Sequence, residues 1–128
     1  ATGTVSVEKI ISMNPDYYLM TGSKRPGKGT AIIPFGYNVQ ANAVQSAFTA
    51  LLARQGVSSI PAVEKGHTGA LYHHFYNNPY NIIAIEALSK IFYPTLFADM
   101  DPVADYHLLI TRFTQIPDDS IILSYTPH

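Results

Sequence analysis

The 128-residue chain contains no cysteine and no tryptophan. Without thiols it can form no disulfide, no zinc–thiolate centre and no cysteine nucleophile. That absence suits a reducing cytoplasm and a bacterial periplasm equally. Charge is also scarce: charged residues make up 13% of the chain, eight basic against nine acidic, for a net charge of −1. So even a balance leaves no electrostatic footprint for nucleic acid or an anionic membrane. Apolar runs are short, and none approaches the roughly 20 residues that a membrane span needs. No charged-then-apolar leader pattern stands in the sequence given, although a processed chain would have lost one. Internal repeats and low-complexity tracts are missing as well.

What is present is a chain 47% hydrophobic, with nine tyrosines and six phenylalanines. That is enough apolar material for one globular core, and the expected organisation is a single lobe over residues 1–128. Ser6 caps a helix with Glu8 in its first turn and Ile10, Ile11 and Met13 as apolar contacts, and Asn14-Pro15 ends it. Tyr17 to Met20 reads as a short buried parallel strand. The chain thus opens in the middle of an α/β alternation, where a strand would normally come before the first helix. Thr21 to Gly36 is a loop rich in Gly, Pro, Lys and Arg. A helix is predicted from Tyr37 to Arg54, with Ala41, Val44, Phe48, Leu51 and Leu52 inward and Gly56 as its stop. Ser58 or Ser59 caps a short turn that has Pro61 early and Gly66 after it. Gly69 to Tyr72 is the next strand. The helix from Pro79 is expected to bury Ile82, Ile85, Leu88 and Phe92 and to turn Glu86, Ser89 and Lys90 outward. Asp101-Pro102 caps a last helix through Phe113, with Leu108, Leu109 and Phe113 inward. Ile121 to Leu123 reads as a terminal strand. The predicted class is α/β, a small mainly parallel sheet flanked by helices.

The segment YHHFYNN places Tyr72, His73, His74, Phe75, Tyr76 and Asn77 at the carboxyl end of a strand. Ligands of open α/β sheets gather at that edge. In an extended segment His73 and His74 point to opposite sides, whereas His74 and Tyr76 share one. The loop after the first strand borders the same edge and brings Lys24, Arg25 and Lys28, with Phe35 and Tyr37 close behind. These cations suit an anionic ligand. The GKG triplet lacks phosphate-loop spacing. Asp99, Asp101 and Asp105 cluster at a helix start, where a capping role explains Asp101 better than acid–base work. No nucleophile elbow or zincin spacing occurs, so no enzyme is expected.

In order and spacing, NPDYYLM, PAVEKG and NPYNIIAIEALSKIFYP followed by LFADMDP resemble the C-terminal lobe of class III periplasmic binding proteins of ABC importers, those for ferric siderophores, haem and cobalamin. The resemblance runs from about Ser6 to Phe113. It implies a two-lobe extracytoplasmic receptor, periplasmic or lipid-anchored, that holds a metal chelate between its lobes. This chain is too short for both lobes and is expected to be the second, truncated at its start, with the N-terminal lobe as its missing partner.

The resemblance further implies that Glu8, in VEKIISMNPD, docks on an arginine of the membrane permease; an ordinary acid favouring a helix N-terminus explains the same residue. The chelate's wall is expected from Tyr72, His74, Phe75, Tyr76, Arg25 and Tyr37. No catalytic residue, protein-held metal or resident cofactor is expected, since a chelator fills the iron's coordination shell. Two other readings stay open. One is direct haem or metal binding through His74 and Tyr76. The other is a flavodoxin-like enzyme fragment, for which His74 with Asp99 is the first pair to consider.

Overall fold

A computed structural model describes residues 4–27, 31–117 and 121–127. Lys28, named above beside Arg25, lies outside the described residues. Helix α1 (Val7–Met13) is capped by Ser6, whose hydroxyl accepts from the Lys9 amide, and stops at Asn14 in the left-handed region. Strand β1 spans Tyr18–Gly22 and β2 spans Thr68–Tyr72. They run parallel in a register from Tyr18 opposite Thr68 to Gly22 opposite Tyr72. A short β3 (Ser124–Tyr125) joins β2 antiparallel. The sheet is therefore mixed, in the order β1-β2-β3. The terminal strand falls just beyond the predicted Ile121–Leu123, although Ile122 bridges Gly36.

Among the described residues four further α-helices follow: α2 (Ala41–Leu52), α3 (Pro61–Glu64), α4 (Asn81–Phe92) and α5 (Pro102–Phe113). Helix α2 starts later than predicted from Tyr37. Ile33, Phe35 and Val39 enter the core first, and Gly36 is held by the backbone of Ile122. Its inner face is Val44, Ala47 and Phe48, and Ala41 is exposed. Ile60 rather than a serine precedes α3, and Ser58 and Ser59 lie in a 3₁₀ turn, Val57–Ser59.

The inward faces of the last two helices differ from those predicted. In α4 the buried residues are Ile83, Ala87 and Ile91, whereas Ile82 and Ile85 are exposed. In α5 they are Pro102, Tyr106 and Ile110, whereas Leu108 and Phe113 are exposed. Both helices carry apolar residues on more than one face, and in α4 the buried one is set by close approach to the sheet. A Cβ on Gly69 would lie 2.7 Å from Ile91 Cδ1, so glycine in β2 is what lets α4 sit on the sheet. Asp101 does cap α5, accepting from the amides of Val103 and Ala104 at 3.1 Å.

Three apolar clusters result. Ile33, Phe35, Val44, Phe48 and Ala70 fill the space between α2 and the sheet. Phe75, Ile83, Tyr106, Ile110 and Leu123 join α4 and α5 to the end of β2. Val57, Ile60 and Ala62 receive Val7, Ile10 and Ile11 from α1. Phe35 and Ile33 are fully enclosed. Burying each contributes on the order of 1.5–3 kcal/mol, which ties the middle of the long loop to the core.

Candidate functional site

Since β1 and β2 run parallel, the segments that follow them leave from one edge. Ser23 to Pro26 continue β1, and Tyr72 and His74 end and follow β2. Together with Phe35, Gly36 and Tyr37 they enclose a hollow of about 480 Å³. The loop is closed over this edge by the Lys24 amide donating to the Phe35 carbonyl at 2.8 Å and by Lys24 Nζ donating to the Asn38 carbonyl at 2.9 Å. Arg25, exposed, lines the same hollow.

Four of the six residues predicted for a chelate wall thus meet here: Arg25, Tyr37, Tyr72 and His74. The other two part company. Phe75 is 5% exposed and packs among Ile83, Tyr106 and Ile110, so it supports the site from the core and does not face it. Tyr76 is 72% exposed and stands at the rim, its ring stacked on His74 at 6.5 Å.

The segment His73–Asn77 is a 3₁₀ turn, not the extended stretch that the alternation argument assumed. The turn gathers its rings. His73 and His74 lie 5.3 Å apart, and His73 lies 5.5 Å from Tyr76. His74 meets the ring of Tyr72 edge-on at 5.3 Å. His73 Nδ1 is 3.4 Å from the Thr21 hydroxyl of β1, so the turn is also tied to the neighbouring strand. Asn78 closes the turn by donating to the His74 carbonyl at 2.8 Å.

Burial, and then the neighbouring Tyr37, push the Tyr72 phenol above its ordinary value, so it remains a neutral donor near neutral pH. One contact was not read from the sequence. The Tyr37 hydroxyl lies 3.2 Å from that of Tyr106, deep on α5. The sequence carries a signal for it, because Pro102, Tyr106 and Ile110 recur every fourth residue as one helix face, although Leu108 and Phe113 are the more apolar.

A larger hollow, about 640 Å³, lies at the opposite edge of the sheet and is lined by Tyr17, His67, Ala87, Ile91 and Tyr125 among others. Three of its polar side chains are engaged within the chain. The Tyr17 hydroxyl donates to the Phe92 carbonyl, His67 Nδ1 lies 3.1 Å from the Asp16 carbonyl, and Lys90 Nζ donates to the Met100 carbonyl at 2.6 Å. The smaller hollow lies at the carboxyl edge of the parallel strands, where ligands of open α/β sheets gather, and is the candidate ligand site. Among the described residues no group of three or more His, Asp or Glu could hold a metal ion. Direct coordination would therefore rest on His74 and Tyr76.

Glu8 is exposed at the start of α1. Its own backbone amide, and then the Ser6 hydroxyl, hold its carboxyl below the ordinary range. It presents a fixed negative charge on the surface.

No protein-family model and no curated protein sequence matches the chain. Among solved structures it is similar to FepB, a TroA-like periplasmic binding protein from Veillonella parvula, with 27% sequence identity and a TM-score of 0.87. The match covers 98% of this chain but 36% of that one, so the chain spans about a third of FepB's length. In fold and sequence the chain is thus similar to one part of a TroA-like periplasmic binding protein, consistent with its C-terminal lobe.

Proposed function

We propose that this lobe forms one wall of the ligand cleft of an extracytoplasmic substrate-binding protein serving an ABC importer. The cargo would be an iron–siderophore complex or a related metal chelate such as haem or cobalamin. The observation that carries the reading is the convergence of Arg25, Tyr37, Tyr72 and His74 on one hollow at the carboxyl edge of the parallel strands. Aromatic faces pack against a flat or propeller-shaped chelate, and the guanidinium and phenols bond its outward oxygens. None of these groups needs to displace a ligand of the metal, because the chelate brings its own. The opposing wall belongs to a second lobe, and Glu8 meets a cationic residue of the permease at the outer surface. The likeness to a binding protein supports this role over an enzyme's.

Titration of the full-length two-lobe protein with ferric citrate, a ferric tris-catecholate, haem and cobalamin, read by tyrosine fluorescence, tests the proposal. Saturable quenching by at least one is expected, and none by any of them contradicts it. A haem absorbance shift abolished by His74→Ala or Tyr76→Phe would replace the chelate-wall reading with direct coordination.

A further inference from the structure

The hydrogen bond between Tyr37 and Tyr106 joins an exposed ring to a buried one. Tyr106 is 3% exposed and sits on α5 among Phe75, Ile83, Ile110 and Leu123, with the ring of Tyr80 edge-on at 5.3 Å. Tyr37 is 38% exposed and lines the hollow. A phenol has one hydrogen to donate and lone pairs to accept with. Among the described residues the Tyr106 hydroxyl has one hydrogen-bond partner, the Tyr37 hydroxyl at 3.2 Å.

Two proton arrangements fit that distance, and they are not equivalent. If Tyr37 donates, the hydrogen of Tyr106 is left without an acceptor in an apolar cluster, which is costly. If Tyr106 donates, its hydrogen is satisfied, and the hydrogen of Tyr37 is released to the side of the molecule where solvent or ligand can take it. Only the second arrangement strands nothing. Burial and the neighbouring phenols also keep Tyr106 protonated far into the alkaline range, as a donor must be.

We infer that Tyr106 donates to Tyr37, and that Tyr37 in consequence offers its own proton to the hollow as an oriented donor for an oxygen acceptor on the ligand. Tyr106 is then a positioning residue: it touches no ligand but fixes the ring angle and the hydrogen-bond polarity of one that does. The ligand class follows from the polarity. The edge of the cargo seated at Tyr37 presents an acceptor oxygen, such as that of a carboxylate, phenolate or carbonyl. The proton direction stands on the geometry alone, whereas the ligand half rests on the function proposed above.

Two measurements on the full-length protein separate these halves. Hydroxyl-proton NMR with labelled tyrosine reads the direction without ligand. A slowly exchanging hydroxyl proton is expected on the Tyr106 ring, lost in Tyr106→Phe, with the Tyr37 proton exchanging fast. A protected proton on the Tyr37 ring overturns the inference. The second measurement is affinity for whichever of ferric citrate, a ferric tris-catecholate and haem binds best. Tyr37→Phe and Tyr106→Phe should each weaken it about tenfold, and the double variant no further, because one removes the donor and the other the contact that orients it. Additive losses, or no loss in Tyr106→Phe, contradict the positioning role. Binding of none of the three refutes the ligand half, and the proton assignment still decides the other.

Discussion

The carbonyl of Ile33 occupies the place where a Cβ on Gly22 would stand. Gly22 ends β1 opposite Tyr72, and Ile33 is fully buried on α2's side of the sheet. The missing side chain therefore lets the loop fold back across the strand end. That fold-back brings Phe35, Gly36 and Tyr37 against Tyr72 and makes the hollow.

Gly22→Ala should consequently do two things. Forcing a methyl group against backbone, which cannot rotate away, costs roughly 1–3 kcal/mol. Urea unfolding should report that loss as a lower midpoint with an unchanged slope. The loop carrying Lys24 and Arg25 should also lift, so proteolysis between residues 23 and 36 should accelerate. An unchanged midpoint together with unchanged cleavage contradicts the close approach.

The surroundings of Glu86 give stability a pH dependence whose sign can be worked out. One of its carboxylate oxygens is wholly enclosed and lacks a hydrogen-bond partner. Burial first, and then Asp105 across the α4–α5 contact, raise its pKa from the ordinary 4.5. Two ionised carboxylates can only accept, which explains the missing bond; once one of them is protonated it can donate to the other. The folded form thus holds a proton that the unfolded chain gives up at lower pH. This contribution to stability is fully present below about pH 4.5 and is lost as pH rises through the higher folded value. Glu86→Gln should raise the thermal midpoint near neutral pH and flatten its decline as pH rises above about 4.5. A variant less stable than the parent at neutral pH would show that the carboxylate is needed ionised.

Glu8 separates docking from binding. It is exposed, and its charge is held by the helix start and Ser6. On the proposed docking, Glu8→Lys in the two-lobe protein should leave chelate affinity within about twofold while sharply reducing stimulation of the importer's ATPase, because the surface charge proposed to meet a cation is reversed. Full stimulation by this variant contradicts a docking role.

Much of this was legible in the sequence, and the failures have physical causes. Caps and stops read well where one side chain decides: Ser6 before α1, Asn14 after it, and Asp101 before α5. Helix faces read poorly where apolar residues run all round. Ile82 and Ile83 are equally hydrophobic, and the choice between them depends on Gly69 admitting Ile91, a contact between distant segments. The site was legible as a location, since strand order alone brings residues 23–26 and 72–74 to one edge. Its depth was not. Sequence spacing treated Phe75 and Tyr76 alike, and the 3₁₀ turn sends one into the core and the other to the rim. Nor does spacing reveal that Tyr37 answers to Tyr106, 69 positions away.

The central claim, that the hollow at the carboxyl edge is a chelate wall, is tested most directly by affinity. Equilibrium binding of the best of ferric citrate, a ferric tris-catecholate and haem should be compared in the full-length protein and in its Arg25→Ala, His74→Ala and Lys65→Ala forms. Arg25 and His74 line the hollow, and Lys65 is exposed after α3, before β2 begins at the opposite edge. The account predicts that Arg25→Ala and His74→Ala each weaken binding about tenfold or more, and that Lys65→Ala leaves it unchanged. Equal affinity in all four proteins would contradict it.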